Sequence, residues 1–139
     1  MKDFIILRIV TKLTIPLILL FGLYVQFHGD YSAGGGFQAG VILASGFILY
    51  SVIFGINVAK EVLSQRISKI LMGIGVLLFV GVGILGILLG DNFLEYNSLA
   101  SNSKYGQIIG IFLIEVGVGL TVGNVMILVF YAFNSEKVK

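Results

Sequence analysis

The sequence predicts an all-α, integral membrane four-helix bundle whose N and C termini are both cytoplasmic. The first observation behind this prediction is composition, because 58% of the 139 residues are hydrophobic, only 12% are charged and the mean hydropathy is +1.05. Such a chain is too apolar for a small soluble domain. The second observation is a series of four long apolar runs, and the third is a one-sided distribution of basic residues.

The apolar runs predict one membrane domain over residues 1–139, with spans at about 4–27, 37–58, 70–89 and 105–133. A bilayer core about 30 Å thick needs about 20 apolar residues per helix, so four spans use nearly the whole chain. Pro16 lies inside the first span, where we expect a mild kink. The first run is interpreted as a span and not as a signal peptide, because it lacks a small-x-small cleavage site and three further apolar runs follow.

Polar segments separate the spans, and their charges predict the orientation. The segment 28–36 is so short that only a hairpin fits, the segment 60–69 carries several charged residues, and the segment 91–104 is rich in asparagine and serine. Eight of the nine Lys and Arg residues fall on the side of the termini and of the 60–69 loop, and Lys104 alone falls on the other. The positive-inside rule therefore places the termini and the 60–69 loop in the cytoplasm.

Glycines occur at the spacing of helix-packing motifs. Four pairs are separated by four residues and so share a helix face: Gly36 and Gly40, Gly86 and Gly90, Gly106 and Gly110, Gly119 and Gly123. Small residues at this spacing let membrane helices approach closely, so we expect contacts within the chain or with partner subunits. The alternative is that glycine is simply common in membrane helices.

Composition also excludes several classes of function. The chain contains no cysteine, which rules out disulfides, zinc knuckles, thiolate catalysis and iron–sulfur ligation by this chain alone. Its basic residues are divided between the termini and one loop, so it has no stripe for nucleic acid. The sequence has no nucleophile–base pair and no metal-ligand set. We therefore expect no enzymatic activity of its own, no metal, no cofactor and no nucleic-acid partner.

The most unusual string of the sequence lies between the first two spans, from His28 to Gly40. Its centre is the loop motif Gly34, Gly35, Gly36, Phe37 and Gln38. Three consecutive glycines can adopt backbone angles closed to other residues, which permits a tight re-entry with exposed N–H groups at the start of a helix. A nucleotide-binding loop is disfavoured because no Gly-Lys-Ser/Thr follows and no strand precedes. The favoured interpretation is a strained turn that begins the second helix.

His28 and Asp30 lie at the outer boundary of the membrane in this prediction. A histidine titrates near neutral pH, and a neighbouring carboxylate raises its pKa, which would suit proton handling. The alternative is an interfacial pair that anchors the helix end among headgroups or against a partner.

Glu115 stands inside the fourth apolar run. An ionisable residue within a span is costly to expose to lipid and is by default a functional hypothesis, most often a proton or cation relay. A structural hydrogen bond between helices is the alternative. No basic residue lies at a comparable depth, so the hydrogen-bond partner is expected to come from another subunit or from one of four amides, Gln26, Gln38, Gln107 and Asn124.

The string from His28 to Gly40 resembles the B subunit of the Mrp (or Mnh) multisubunit sodium/proton antiporters. The family pattern is roughly His-Gly, a short spacer and then Pro-Gly-Gly-Gly-Phe-Gln-Gly-Gly, and here Ala33 stands in the proline position and Ala39 replaces a glycine. The resemblance extends over the whole chain, including the glycine-rich third span and the run around Glu115 from residue 110 to residue 122.

The resemblance implies an accessory subunit in the bacterial plasma membrane that is needed to assemble a sodium/proton antiporter and that lines an ion path. Its implied partners are the other subunits of the complex, the lipid bilayer, and Na⁺ and H⁺ as transported ions. On this hypothesis Glu115, His28 and Asp30 are the candidates for the ion or proton pathway, and antiport is driven by the proton gradient.

Three alternatives remain at this stage. One is the equivalent subunit of an antiporter-like module in a membrane-bound hydrogenase. Another is a stand-alone small four-helix exporter, although that family has its glutamate in the first span and this chain does not. The third is an assembly protein without ion contact.

Overall fold

A computed structural model describes residues 2–29, 34–100 and 102–135 of the chain. These residues form five α-helices: α1 (Lys2–Phe27), α2 (Gly36–Phe54), α3 (Ile56–Val62), α4 (Gln65–Leu88) and α5 (Ser103–Ser135), with a 3₁₀ turn at Asn97–Leu99. The described part of the chain contains no strand. By length and composition, α1, α2, α4 and α5 can each cross a membrane. The all-α architecture with four membrane helices is confirmed, and the side that each terminus faces stays a prediction.

Gly55 divides the second apolar run into two helices. The predicted span continues to residue 58, whereas α2 ends at Phe54. Gly55 has a φ of 101° and a ψ of 146°, a conformation that residues with a Cβ rarely adopt, and its N–H donates to the carbonyl of Ser51. The short helix α3 then follows directly.

Ser64 begins α4 ahead of the apolar run. Its hydroxyl accepts a hydrogen bond from the backbone N–H of Ile67 at 3.3 Å, which is a typical N-cap contact. The helix therefore starts at Gln65, while the predicted span starts at residue 70. Helices commonly extend beyond their apolar part when a polar cap satisfies the first N–H groups.

The helix α5 is the centre of the packing. It packs along α2 on one side and along α4 on the other, whereas α1 packs on α2 and hardly touches α5. The largest fully buried side chain is that of Tyr131 in α5, whose hydroxyl donates to the carbonyl of Leu63 at 2.7 Å. This bond ties one end of α5 to the connection between α3 and α4.

Glycines make the closest helix contacts, and only some of them follow the predicted spacing. A Cβ added at Gly40 would lie 2.7 Å from the carbonyl oxygen of Gly119, and Gly123 faces Gly40 in turn. A Cβ at Gly117 in α5 would lie 2.8 Å from the carbonyl oxygen of Gly75 in α4. Neither Gly75 nor Gly117 belongs to one of the predicted pairs.

Two of the predicted glycine pairs do not lie at a helix–helix contact. Gly106 and Gly110 both face Tyr96, which belongs to the connection between α4 and α5. Gly90 has a φ of 96° and follows the end of α4, so it forms part of the turn after this helix.

Tyr96 is only 5% exposed, and its burial raises the pKa of its hydroxyl above the ordinary value of 10.0.

Candidate functional site

Glu115 lies near the middle of α5 and at the same level as the beginning of α2. It follows the first residue of α5 by 12 positions, or about 18 Å of helix. Its side chain is partly buried. Gly36, the first residue of α2, packs directly on the backbone of Glu115. The structure therefore brings together the intramembrane carboxylate and the glycine motif, which the sequence analysis treated as separate features.

The two carboxylate oxygens of Glu115 lie against the glycine-rich connection between α1 and α2. A Cβ added at Gly29 would be 3.1 and 3.2 Å from these oxygens, and a Cβ added at Gly35 would be 3.1 Å from Oε1. Gly35 also has a φ of 151°, which disfavours any residue with a side chain. Glycine at these positions thus allows the main chain to approach a carboxylate that a larger residue would displace.

Two further oxygen atoms lie within a few ångströms of the Cβ positions of Gly29 and Gly35. The carbonyl oxygen of Gly34 lies 3.4 Å from the Cβ position of Gly29, and Oε1 of Gln38 lies 3.7 Å from that of Gly35. The Cβ positions of Gly29 and Gly35 are themselves about 3 Å from the carboxylate of Glu115, so these two oxygens lie near it. Carboxylate, backbone carbonyl and amide oxygens are ligands suited to hard cations, and a carboxylate also binds a proton.

Gln26 contributes a buried amide one helical turn from Glu115. Its Oε1 lies 2.6 Å from the Cβ position of Gly119, which follows Glu115 by four residues in α5. The side chain is 8% exposed, and its Nε2 has no hydrogen-bond partner among the described residues. Of the four amides suggested as partners, Gln26 and Gln38 lie near this site.

The other two amides have hydrogen bonds elsewhere. Gln107 donates through Nε2 to Oδ1 of Asn97 at 2.9 Å. Asn124 donates through Nδ2 to the carbonyl of Leu120 within its own helix at 2.8 Å. Neither of these bonds involves Glu115.

The remaining predicted site residues surround the same connection. The ring of His28 is partly buried and stacks on Tyr24, with centroids 4.8 Å apart and an angle of 21° between the rings. Phe37 is 57% exposed. Asp30 lies outside the described residues. Among the residues that the structure describes, no three His, Cys, Asp or Glu side chains are grouped to hold a metal ion.

Comparison with known proteins identifies similar chains. Residues 6–128 match the family described as a domain related to the MnhB subunit of the Na⁺/H⁺ antiporter. A protein of Staphylococcus haemolyticus (strain JCSC1435) that bears the name antiporter subunit mnhB2 is 33% identical over 136 residues, which are 96% of each chain. Proteins of the same name are 32% identical in Staphylococcus epidermidis and 35% identical in Staphylococcus aureus (strain Newman), again over 96% of each chain.

Proposed function

The chain belongs to the MnhB family of Na⁺/H⁺ antiporter subunits, and from this premise we propose that Glu115 and the glycine-rich loop handle the transported ions. The protein is an accessory subunit of a multisubunit Na⁺/H⁺ antiporter and a multi-pass protein of the bacterial plasma membrane. It is a transporter subunit and not an enzyme. What we propose is the role of individual residues, the identity of the transported ions as Na⁺ and H⁺, and the proton gradient as the source of energy.

The observation that carries the proposal is the place of the Glu115 carboxylate, whose oxygens lie 3.1 to 3.2 Å from the Cβ position of Gly29 and 3.1 Å from that of Gly35. A carboxylate inside a span costs about 3 kcal/mol to place in lipid, and such residues usually line ion or proton paths. Here the carboxylate lies beside carbonyl and amide oxygens that could share a Na⁺ with it. Protonation of Glu115 would remove its charge and release a cation, so one group could exchange the two ions.

His28 is proposed as a proton-exchanging group at the outer end of this path. It immediately precedes Gly29, whose Cβ position lies 3.1 Å from the carboxylate of Glu115. The ring nitrogens of an imidazole can accept and donate protons, so such a side chain can pass them to and from water. Asp30 is included in the proposal through its sequence position alone.

Substitution of Glu115 tests the proposal. In vesicles that contain the complete complex, Glu115→Gln should abolish sodium-dependent proton movement, while Glu115→Asp should retain part of it. A pH-sensitive dye inside the vesicles reports the exchange, and a pull-down through a tag on this chain reports assembly. Glu95→Gln is the matched control, because Glu95 is a carboxylate in the α4–α5 connection that bonds Asn92 and Asn97.

Two outcomes decide the matter. Loss of exchange in Glu115→Gln with an assembled complex, and normal exchange in Glu95→Gln, would support an ion-handling carboxylate. Normal exchange in an assembled Glu115→Gln complex would leave Glu115 with a structural role only and would refute the proposal.

A further inference from the structure

A basic pocket lies between the end of α3 and the beginning of α4. Its volume is about 470 Å³, and five residues line it: Lys60, Ser64, Gln65, Arg66 and Lys69. Volumes of about 300–1,000 Å³ are usual for sites that bind small molecules. Three of the lining residues are cationic and none is acidic, since Glu61 does not line the pocket. The pocket therefore favours a negatively charged group.

None of the three cations forms an ion pair within the part of the chain that the structure describes. The side chains of Arg66 and Lys69 are exposed and make no hydrogen bond there either. Lys60 is partly buried, and its Nζ lies 5.7 Å from the centre of the buried Tyr131 ring, which holds the ammonium group by a cation–π contact. Like charges that line one pocket repel one another, and a bound anion would offset this repulsion.

The pocket also contains two uncharged hydrogen-bond donors. The hydroxyl oxygen of Ser64 accepts the N–H of Ile67 at 3.3 Å, so the hydroxyl proton is available to an anion. The carboxamide of Gln65 carries two further N–H groups. Phosphate oxygens accept hydrogen bonds from hydroxyl, amide, ammonium and guanidinium groups, and the charged donors give the strongest bonds. The lining therefore fits a phosphate group.

The pocket lies at the depth of the lipid headgroups. The helix α4 has 24 residues and is about 36 Å long, which exceeds the hydrocarbon core of about 30 Å. Its apolar run begins at Ile70, so the polar residues 65–69 extend out of the core. A phosphate group at this depth belongs to a phospholipid.

An exposed apolar stripe leads from the pocket along the same face of α4. Ile70, Gly73 and Leu77 follow Arg66 by 4, 7 and 11 residues and so share its face. Ile70 is 54% exposed, Leu77 is 72% exposed, and no atom lies within 4 Å of the Cβ position of Gly73. From Arg66 to Leu77 the helix rises about 16 Å, which is about half of the hydrocarbon core and so the depth of one leaflet. A phospholipid would cover this stripe, whereas a free phosphate ion would leave it uncovered.

We propose that the basic pocket binds the phosphate of an anionic phospholipid, and that an acyl chain of this lipid lies along Ile70, Gly73 and Leu77. A zwitterionic headgroup fits less well, because its own cation would meet the three cations of the pocket. This inference goes beyond the proposed function and does not depend on the role of Glu115.

Photoactivatable phospholipids test the site in the complete complex, reconstituted into phosphatidylcholine vesicles. One probe is phosphatidylglycerol with a diazirine in its acyl chain, and the other is phosphatidylcholine with the same acyl chain. After irradiation, mass spectrometry of peptides locates the attached lipid. Phosphatidylglycerol should label residues 70–77 several-fold more than phosphatidylcholine does. Equal labelling by the two probes, or no labelling of this stripe, would overturn the proposal.

A pocket variant tests the role of the charges. It replaces Lys60, Arg66 and Lys69 by glutamine and should reduce labelling by phosphatidylglycerol to the level of phosphatidylcholine. The control variant removes the same number of charges outside the pocket, by glutamine at three other basic positions: Arg8, Lys12 and Lys104. Persistence of the preference in the pocket variant, or its loss in the control variant as well, would refute the site.

A smaller change keeps the test valid if the pocket variant does not assemble, which the pull-down reports. Arg66→Gln combined with Lys69→Gln alters only exposed side chains that make no hydrogen bond or ion pair with the described residues. This double variant should lower labelling by phosphatidylglycerol at least several-fold. Unchanged labelling in the assembled double variant would contradict the proposal.

Inorganic phosphate distinguishes a lipid site from a site for the free ion. Millimolar phosphate should leave the labelling by phosphatidylglycerol equal to that in sodium chloride of the same ionic strength. If phosphate but not chloride abolished the labelling, the pocket would be a site for free phosphate and the lipid proposal would fail.

Discussion

The two sides of α5 use the same kind of glycine contact, but only the side of α1 and α2 carries a carboxylate at membrane depth. Toward α4, Gly75 and Gly117 bring the backbones together, and the neighbouring Thr121 donates to the carbonyl of Gly117 at 2.8 Å. Toward α1 and α2, Gly36 and Gly40 make similar contacts, but Gln26 and Asn124 retain unpaired atoms among the described residues. In α4 the hydroxyl of Ser68 is likewise buried without a partner among the described residues, so the difference between the two sides is the carboxylate of Glu115, which lies against the start of α2.

The largest effect is expected from a change on the side of α1 and α2, where the carboxylate of Glu115 lies. In Gly36→Ala, the added methyl group would overlap the carbonyl of Glu115, which is backbone and cannot rotate away. We expect a loss of about 3 kcal/mol of stability, as for severe overpacking, and loss of exchange. Thermal denaturation of the detergent-solubilised complex, followed by gel filtration, measures the first effect. A Gly36→Ala protein as stable as the wild type would show that α2 and α5 do not meet at this position.

Gly75→Ala makes the corresponding change on the other side of α5. A Cβ there would lie 2.6 Å from the carbonyl oxygen of Gly117 and 2.9 Å from the N atom of Thr121. The expected loss is about 2 kcal/mol, but the exchange rate per assembled complex should stay normal. If assembled Gly75→Ala complexes lost exchange, the two sides of α5 would not be separable in function.

Gly29→Ala changes the surroundings of the carboxylate without changing a helix contact. The methyl group would lie 3.1 Å from one oxygen of Glu115, so the carboxylate must move by a few tenths of an ångström. We expect less than about 1 kcal/mol of lost stability, together with a several-fold rise in the sodium concentration for half-maximal exchange. The dye assay at a series of sodium concentrations measures this rise. An unchanged sodium dependence would argue against ion binding beside Gly29.

The smallest effects are expected within α4. In Gly83→Ala the methyl group meets the ring of Phe93, which is 48% exposed and free to move outward, so we expect less than about 1 kcal/mol of lost stability. Gly81→Ala is the control, since no atom lies within 4 Å of its Cβ position and alanine favours a helix. Melting temperatures of the two variants should therefore differ slightly, with the Gly81→Ala variant at least as stable as the wild type.

The sequence predicted the elements well because hydrophobicity is a local signal. Four apolar runs correspond to four membrane helices, since each run by itself satisfies the length that a bilayer requires. Gly55 gave no such signal, because an isolated glycine in an apolar run is compatible with a continuous helix. Only its backbone conformation, with a φ of 101°, reveals the end of α2.

The arrangement of the candidate site was harder to predict than its members. The sequence singled out Glu115 and the three glycines, but their contact depends on the depth at which α2 begins, which hydropathy does not determine. The spacing rule likewise found the contact of Gly40 with Gly119 and Gly123 but overlooked Gly75 and Gly117. Gly75 faces Gly117 and Thr121, which are small residues four positions apart, so a rule limited to pairs of glycines misses this contact.

The unequal lengths of α2 and α5 have an electrical consequence. With 19 residues α2 is about 28 Å long, whereas α5 with 33 residues is about 50 Å long, and Glu115 lies at the beginning of the shorter helix. In the predicted orientation this beginning faces the outside. An ion that arrived from outside would then cross the smaller part of the membrane voltage before it met the carboxylate, since Glu115 is 12 residues from the first residue of α5 and 20 from the last. The larger part of the work of about 2.3 kcal/mol per charge and 100 mV would fall on the route from Glu115 to the cytoplasm.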